Sequence, residues 1–211
     1  MKFGPTFTEL IAASVKCWKE RNNAECVLSV AVPVRGIDPL TQLPLLAEKQ
    51  KFRFLWDHAP EFCIAAAGQC QHLSLAGPRR FERAQQFKDE SFERLIDVSH
   101  DSPIEALPRI LFSFSFFDQA IENDKCLDSF LSVQAVLPRW QLTLKGKSSW
   151  LRINALVNNE SDVRAIIEQL WMKREKLIQY KPKLFGSTFN TFSVHSINQE
   201  WRISYKAALA K

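Results

Sequence analysis

The residues from Leu107 to Leu142 (LPRILFSFSFFDQAIENDKCLDSFLSVQAVLPRWQL) constrain this chain more than any others. From Ile110 to Phe117 the sequence alternates. Phe112, Phe114 and Phe116 fall on one side, Ser113 and Ser115 on the other. A period of two is the pattern of a strand with one apolar face. A second apolar, β-branched run covers Phe130 to Leu137, and Pro138 marks its expected end. The polar residues between them, Asp118 to Ser129, make a long loop for a hairpin. The expected unit is a strand, an excursion and a returning strand, with the three Phe rings packed into a core against another layer.

The flanking sequence supplies the other elements. Thr6 to Arg21 has Leu10, Ile11, Ser14, Val15 and Trp18 at helical spacing, with Thr6 or Thr8 as its cap. Glu25 to Val34 reads as a strand, with Pro33 at its end or on an edge. Ile37 to Ala47 contains Pro39 and Pro44 and reads as a loop with at most a helical turn. Lys51 to Asp57 alternates aromatic residues with Arg53 and Leu55. Phe62 to Ala67 and Gln69 to Leu75 read as two short strands around Gly68. Gly77-Pro78 opens a helix whose apolar side is Phe81, Ala84, Phe87, Phe92, Leu95 and Ile96, and Asp97 to Pro108 is expected to be linker.

Trp150 to Val157 is another strand. Asn158 to Ser161 then caps a helix with apolar positions Val163, Ile166, Ile167, Leu170, Trp171, Leu177 and Ile178. Tyr180 to Ser196 is polar and expected to be mobile, and a last helix begins at Glu200. About seven strands in runs, with four helices, predict an α+β fold: a largely antiparallel sheet layer with flanking helices. Residues 1–180 are expected to form the folded part, and 181–211 a linker with the start of a further helix.

Composition sets limits. With 46% hydrophobic residues, 16 Phe and 6 Trp, this chain of 211 residues is too apolar to be disordered. No apolar run approaches the length of a membrane span, and no signal peptide is read at the start. Five Cys at irregular spacing suit a reducing compartment, so a cytoplasmic location is expected. The net charge of +5 is spread out, with no basic block longer than two residues, which speaks against nucleic acid as a partner.

Candidate chemical groups are sparse. Six residues separate Cys63 from Cys70, with His58 and His72 nearby, whereas zinc ligand pairs usually sit two to four apart. Core thiols and surface imidazoles are the plainer reading. Asp89, Glu90 and Glu93 crowd one helix and read as a solvated face. Asp118 follows the Phe strand, where closing a loop is the simpler role. Arg139 and Trp140 read as an Arg lying over a Trp. No nucleophile elbow or glycine-rich phosphate loop is present. The residues alone yield no catalytic, cofactor-binding or metal-binding assignment.

Several segments, taken in order, resemble one family. Phe52-Arg53-Phe54 with Trp56, the small-residue run Ile64 to Gly68, and Leu75-Ala76-Gly77 with Arg80-Phe81 and Ala84-Gln85 come first. Phe112 to Asp118 and Val133 to Leu142 are the most specific, and Trp150 to Tyr180 and Glu200 to Lys211 complete the series. Together they resemble the N-terminal half of isochorismate synthases of the cyanobacterial type, within the chorismate-utilising enzymes.

The resemblance implies magnesium-dependent conversion of chorismate to isochorismate, in a pathway to menaquinone or phylloquinone. It also implies a Lys base, a Glu acid and Glu metal ligands. Their positions lie beyond those matched here, and neither Lys206 nor Lys211 takes the role of the base. The chain alone is therefore expected to bind no magnesium and to be inactive. A separately encoded catalytic half, or self-association through the Phe112, Phe114 and Phe116 face, is the implied partner. A fragment of an anthranilate or aminodeoxychorismate synthase is one alternative reading. A stand-alone binding or regulatory half-domain is another.

Overall fold

In the computed structural model, residues 4–22, 24–48, 50–59, 62–99, 102–115 and 132–180 are described. The elements run α1 (Phe7–Glu20), β1 (Cys26–Arg35), α2 (Pro39–Ala47), β2 (Arg53–Ala59), β3 (Phe62–Leu75), α3 (Arg80–Glu93), β4 (Leu95–Asp97), a 3-10 turn (Ile104–Ala106), β5 (Leu111–Phe114), β6 (Val133–Lys145), β7 (Ser148–Val157) and α4 (Glu160–Gln179). Phe116, the Asp118–Ser129 loop, Cys126, the polar stretch after Tyr180 and the helix expected from Glu200 lie outside the described residues.

The predicted class is the observed one. A mixed sheet of order β2-β3-β6-β7-β1-β4 carries β5 as an additional partner of β6. The pairings are antiparallel except β1 with β4. Strand β6 is the axis. On one side it pairs with β3 along nearly its whole length. On the other it pairs with β7 over Trp140–Lys145 and with β5 over Val133–Val136.

Helices α1, α2 and α4 close one face of this sheet. Thr6 caps α1 reciprocally: its hydroxyl accepts from the Glu9 amide and the Glu9 carboxylate accepts from the Thr6 amide. Asn159 caps α4 by accepting from the Asp162 amide at 2.9 Å. Leu10 and Trp18 of α1 join Val163, Ile166, Ile167, Leu170 and Leu177 of α4 in one cluster with Leu28, Val30, Val32, Leu142, Leu151 and Ile153 of the strands. Phe7 and Trp171 seal the contact between the two helices with rings 5.7 Å apart.

Proline and glycine positions depart from the expected boundaries, each for a local reason. Ile37–Ala47 is mostly helix, not loop. Pro39 takes the first helical position, where no N–H is needed, and Asp38 accepts from the Leu40 and Thr41 amides. Pro44 lies inside α2, and Leu40, whose carbonyl would have been its acceptor, is exposed. The two short strands around Gly68 are one strand, β3, with an irregularity between Gln69 and Gln71. Pro138 does not end β6; it lies opposite Gln69 at that irregularity, a place where a missing N–H is tolerated. Pro33 sits inside β1. Its neighbours at alternate positions, Val27 and Ala31, donate towards the β4 side, and β4 has ended before Pro33 is reached. The proline thus occupies an unpaired edge, as expected.

Three further differences concern the segments from Leu95 to Phe114. Leu95 and Ile96, expected on the apolar side of α3, belong to β4. Asp97–Pro108 is not a free linker, since its 3-10 turn is strapped across the sheet by hydrogen bonds from β6 and β7. The Phe strand does not pack into the core. Phe112 and Phe114 are 40% and 43% exposed and stack at 5.9 Å, and Phe81 of α3, 59% exposed, adds a third ring 5.0 Å from Phe114.

The asymmetry of the two faces gives a test. Leu142→Ala, in the helix-covered cluster, is expected to cost about 2–5 kcal/mol in urea unfolding. Leu156→Ala, at a half-exposed position on the other face, is expected to change stability by less than about 0.5 kcal/mol.

Candidate functional site

Strands β4, β1, β7 and β6 each place polar side chains on the face opposite α1, α2 and α4. Strand alternation alone puts Ser29, Arg152, Asn154, Gln141 and Thr143 opposite the apolar cluster. Register then brings them together: Asp97 is level with Ser29, Ser29 with Asn154, and Gln141 with Arg152. Directly opposed residues on one face have Cβ atoms about 4.5–5.5 Å apart, so this is a polar row across four strands. All but Asp97 are buried.

Arg152 is the centre of the row and is 1% exposed. Its Nε donates to the Ala106 carbonyl at 2.6 Å. Its Nη1 donates to Ser29 Oγ at 2.5 Å and to Asp97 Oδ1 at 3.1 Å. Burial lowers the guanidinium pKa and Asp97 counters it; an arginine remains charged in either case. Ser29 in turn donates to Asn154 Oδ1 at 2.6 Å, and Asn154 Nδ2 donates to the Pro138 carbonyl at 2.8 Å. Gln141 Nε2 holds the Leu107 carbonyl at 2.9 Å. Arg152 Nη2, Gln141 Oε1 and Thr143 Oγ1 are buried without a partner among the described residues. The row therefore offers one unclaimed cationic donor and two oxygen atoms, an arrangement suited to hydrogen-bonding a polar group. It holds no nucleophile beside a base.

The residues singled out from the sequence lie elsewhere. Cys63 and Cys70 occupy one extended strand, and seven residues at about 3.3 Å each put them roughly 20 Å apart, too far to share a metal. Burial pushes both thiols up to about 11. His72 is exposed, and the His58 side chain lies outside the described residues. Asp89 pairs with Lys88 and accepts from Gln85, while Glu90 accepts from Gln86, so the acidic run of α3 is a solvated face. Asp118, Lys206 and Lys211 lie outside the described residues. Arg139 does not cover Trp140. The cation over that buried ring is Lys173 of α4, 5.5 Å from the centroid, and Arg139 instead donates to Gln169 at 2.7 Å.

Magnesium requires several convergent oxygen ligands. Among the described residues no three His, Cys, Asp or Glu side chains converge, and the only carboxylate of the polar row, Asp97, is committed to Arg152. These residues do not fit a magnesium site. Among the described residues, no helix is long and apolar enough to cross a membrane.

Comparison with known proteins gives the class. A family model described as "Chorismate binding enzyme" matches residues 11–211. The chain belongs to this family of chorismate-binding enzymes. No curated protein matches. Among solved structures, one that is similar is MenF, the menaquinone-specific isochorismate synthase of Escherichia coli, at 15% identity and a TM-score of 0.43. The match covers 82% of this chain and 35% of that one, so the chain spans about a third of the length of that enzyme.

Two outcomes are expected. Asp97→Ala strands a buried guanidinium and should cost about 3 kcal/mol in chemical unfolding, while adding Arg152→Met should restore part of that loss. Alkylation of Cys63 and Cys70 at pH 8 should be slow in the folded chain and accelerate in urea, as followed by peptide mass spectrometry, because their raised pKa values leave little thiolate.

Proposed function

We propose that this chain supplies the N-terminal, non-catalytic sheet layer of an isochorismate synthase. The observation that carries the reading is the chorismate-binding enzyme match over residues 11–211. The isochorismate branch is supported by the sequence Leu137-Pro138-Arg139-Trp140, which resembles that branch over anthranilate and aminodeoxychorismate synthases. A supporting rather than chemical role for the described residues agrees with the polar row, whose side chains are committed mainly to holding strands and the 102–107 segment together.

In the proposed reaction water adds at one carbon of the chorismate ring as hydroxide leaves another, so substrate and product are isomers. A base must take the proton of the water and an acid must protonate the departing hydroxyl. In this reading both groups, and the magnesium, come from a catalytic portion of the enzyme, and the described sheet supports that portion. The product feeds a quinone precursor pathway in the same reading.

A second reading, a stand-alone binding module, draws on the exposed Phe81, Phe112 and Phe114 rings. Exposed clusters of large apolar side chains mark interaction surfaces. The two readings part in a chorismate turnover assay with magnesium, run on the 211-residue chain alone and with a separately expressed catalytic portion of a family member. Isochorismate formed only on mixing is the expected result. Turnover by the chain alone would overturn the non-catalytic assignment. Anthranilate or aminodeoxychorismate as product would move the chain to a sister branch, and silence in both arms would favour the binding module.

A further inference from the structure

Between α2, α4 and β6, on the helix-covered side of the sheet, lies a pocket of about 330 Å³. That is the small end of the range for metabolite pockets, roughly 300–1,000 Å³. Met172 is its exposed apolar lining, above the buried Leu46, Ala47 and Trp140, and among the described residues Arg139, Lys173 and Lys176 share it with one carboxylate, Glu48. Three cations against one anion leave an excess of two positive charges in a partly enclosed space.

The cations are not equivalent. Lys173 is nearly buried and its donors are taken: its Nζ lies 3.2 Å from the Leu45 carbonyl, 3.2 Å from Glu48 and over the Trp140 ring. Lys176 is looser, 3.8 Å from the same Glu48 and more than half exposed. Arg139 gives one Nη2 contact to Gln169, its single hydrogen-bond partner among the described residues, and the rest of its five-donor fork is unclaimed. The pocket therefore contains a buried, fully engaged cation, a more exposed cation and a guanidinium with spare donors.

Two unusual backbone positions lie beside the pocket. Gly68 adopts φ +67, and a Cβ there would come within 2.8 Å of Gln50 Oε1 and 3.3 Å of the Arg139 Cβ. Glycine thus makes the room in which the Gln50 amide lies beside Arg139. Glu48 has φ 38 and ψ -109, a positive-φ backbone that a non-glycine residue adopts under strain. That conformation accompanies a carboxylate set between Lys173 and Lys176, closer to Lys173.

We propose that this pocket binds a small organic carboxylate with a compact apolar body. Arg139 takes the carboxylate in the two-pronged geometry that a guanidinium favours. Lys176 adds the second charge, and the apolar body lies against Met172. The site is on the face of the sheet opposite Arg152, and it stands independently of the reaction proposed above.

Benzoate is the probe, titrated calorimetrically into the 211-residue chain at low salt, with benzylamine as the cation of similar shape. Saturable benzoate binding is expected, weakened by salt and absent for benzylamine. Arg139→Gln should weaken it about tenfold or more, the loss expected for charged hydrogen bonds. Met172 is 61% exposed, so Met172→Glu places a carboxylate at the mouth without touching the core and should abolish binding even if Arg139→Gln fails to fold. Arg164→Gln, at an exposed position paired with Glu160, should leave binding unchanged. No saturable benzoate binding, or binding indifferent to both Arg139→Gln and Met172→Glu, would overturn the proposal.

Discussion

A guanidinium buried at the centre of a sheet face dictates much of what surrounds it. Removing a charge from water costs several kcal/mol unless partners replace the lost hydration. Arg152 obtains them from three separate parts of the chain: Ser29 on β1, Asp97 on β4 and the Ala106 carbonyl of the 3-10 turn. Those partners cannot be displaced singly without leaving a buried donor unmet. The short parallel pairing of β4 with β1, only three residues long, and the path of residues 102–107 over the sheet therefore depend on the same cation that they enclose.

The sheet consequently has two unlike faces. One is dry and closed by α1, α2 and α4, with large aliphatic side chains in continuous contact. The other combines the polar row with an exposed aromatic group at Phe81, Phe112 and Phe114. A layer built in this way keeps its apolar core on one side and its buried polar row on the other. The carboxylate pocket breaks that division, since it lies at the edge of the dry face where α2 and α4 leave cations and amides around Trp140.

The class of fold was legible because its signals are local. Alternation in the strands, the 3.6 period of α4 and the caps at Thr6 and Asn159 act over a few residues and need no knowledge of distant partners. The candidate site was not legible. Arg152 and Asn154 stand at alternate positions within an apolar strand, and Gln141 and Thr143 do the same one strand away. The signal was present in the sequence as polar residues at period two. Its meaning required the register that places Gln141 opposite Arg152 and Ser29 opposite Asn154. The same limit explains Arg139 and Trp140: adjacency suggested that they stack, but the cation over the indole comes from Lys173, more than thirty residues later.

By itself, the sequence determined that this chain builds an antiparallel sheet flanked by helices, and it carried the likeness to chorismate-utilising enzymes in the order of its segments. Hydrophobic periodicity and capping are short-range, so they are written where they act. Tertiary structure alone decided whether Pro33 and Pro138 end strands or lie within them, since a proline is tolerated wherever the opposite edge asks for no N–H. It alone decided that the Phe strand faces outward and that a buried arginine ties three strands and a turn together. Burial and pairing are properties of neighbours in space, and for these residues the neighbours come from across the chain.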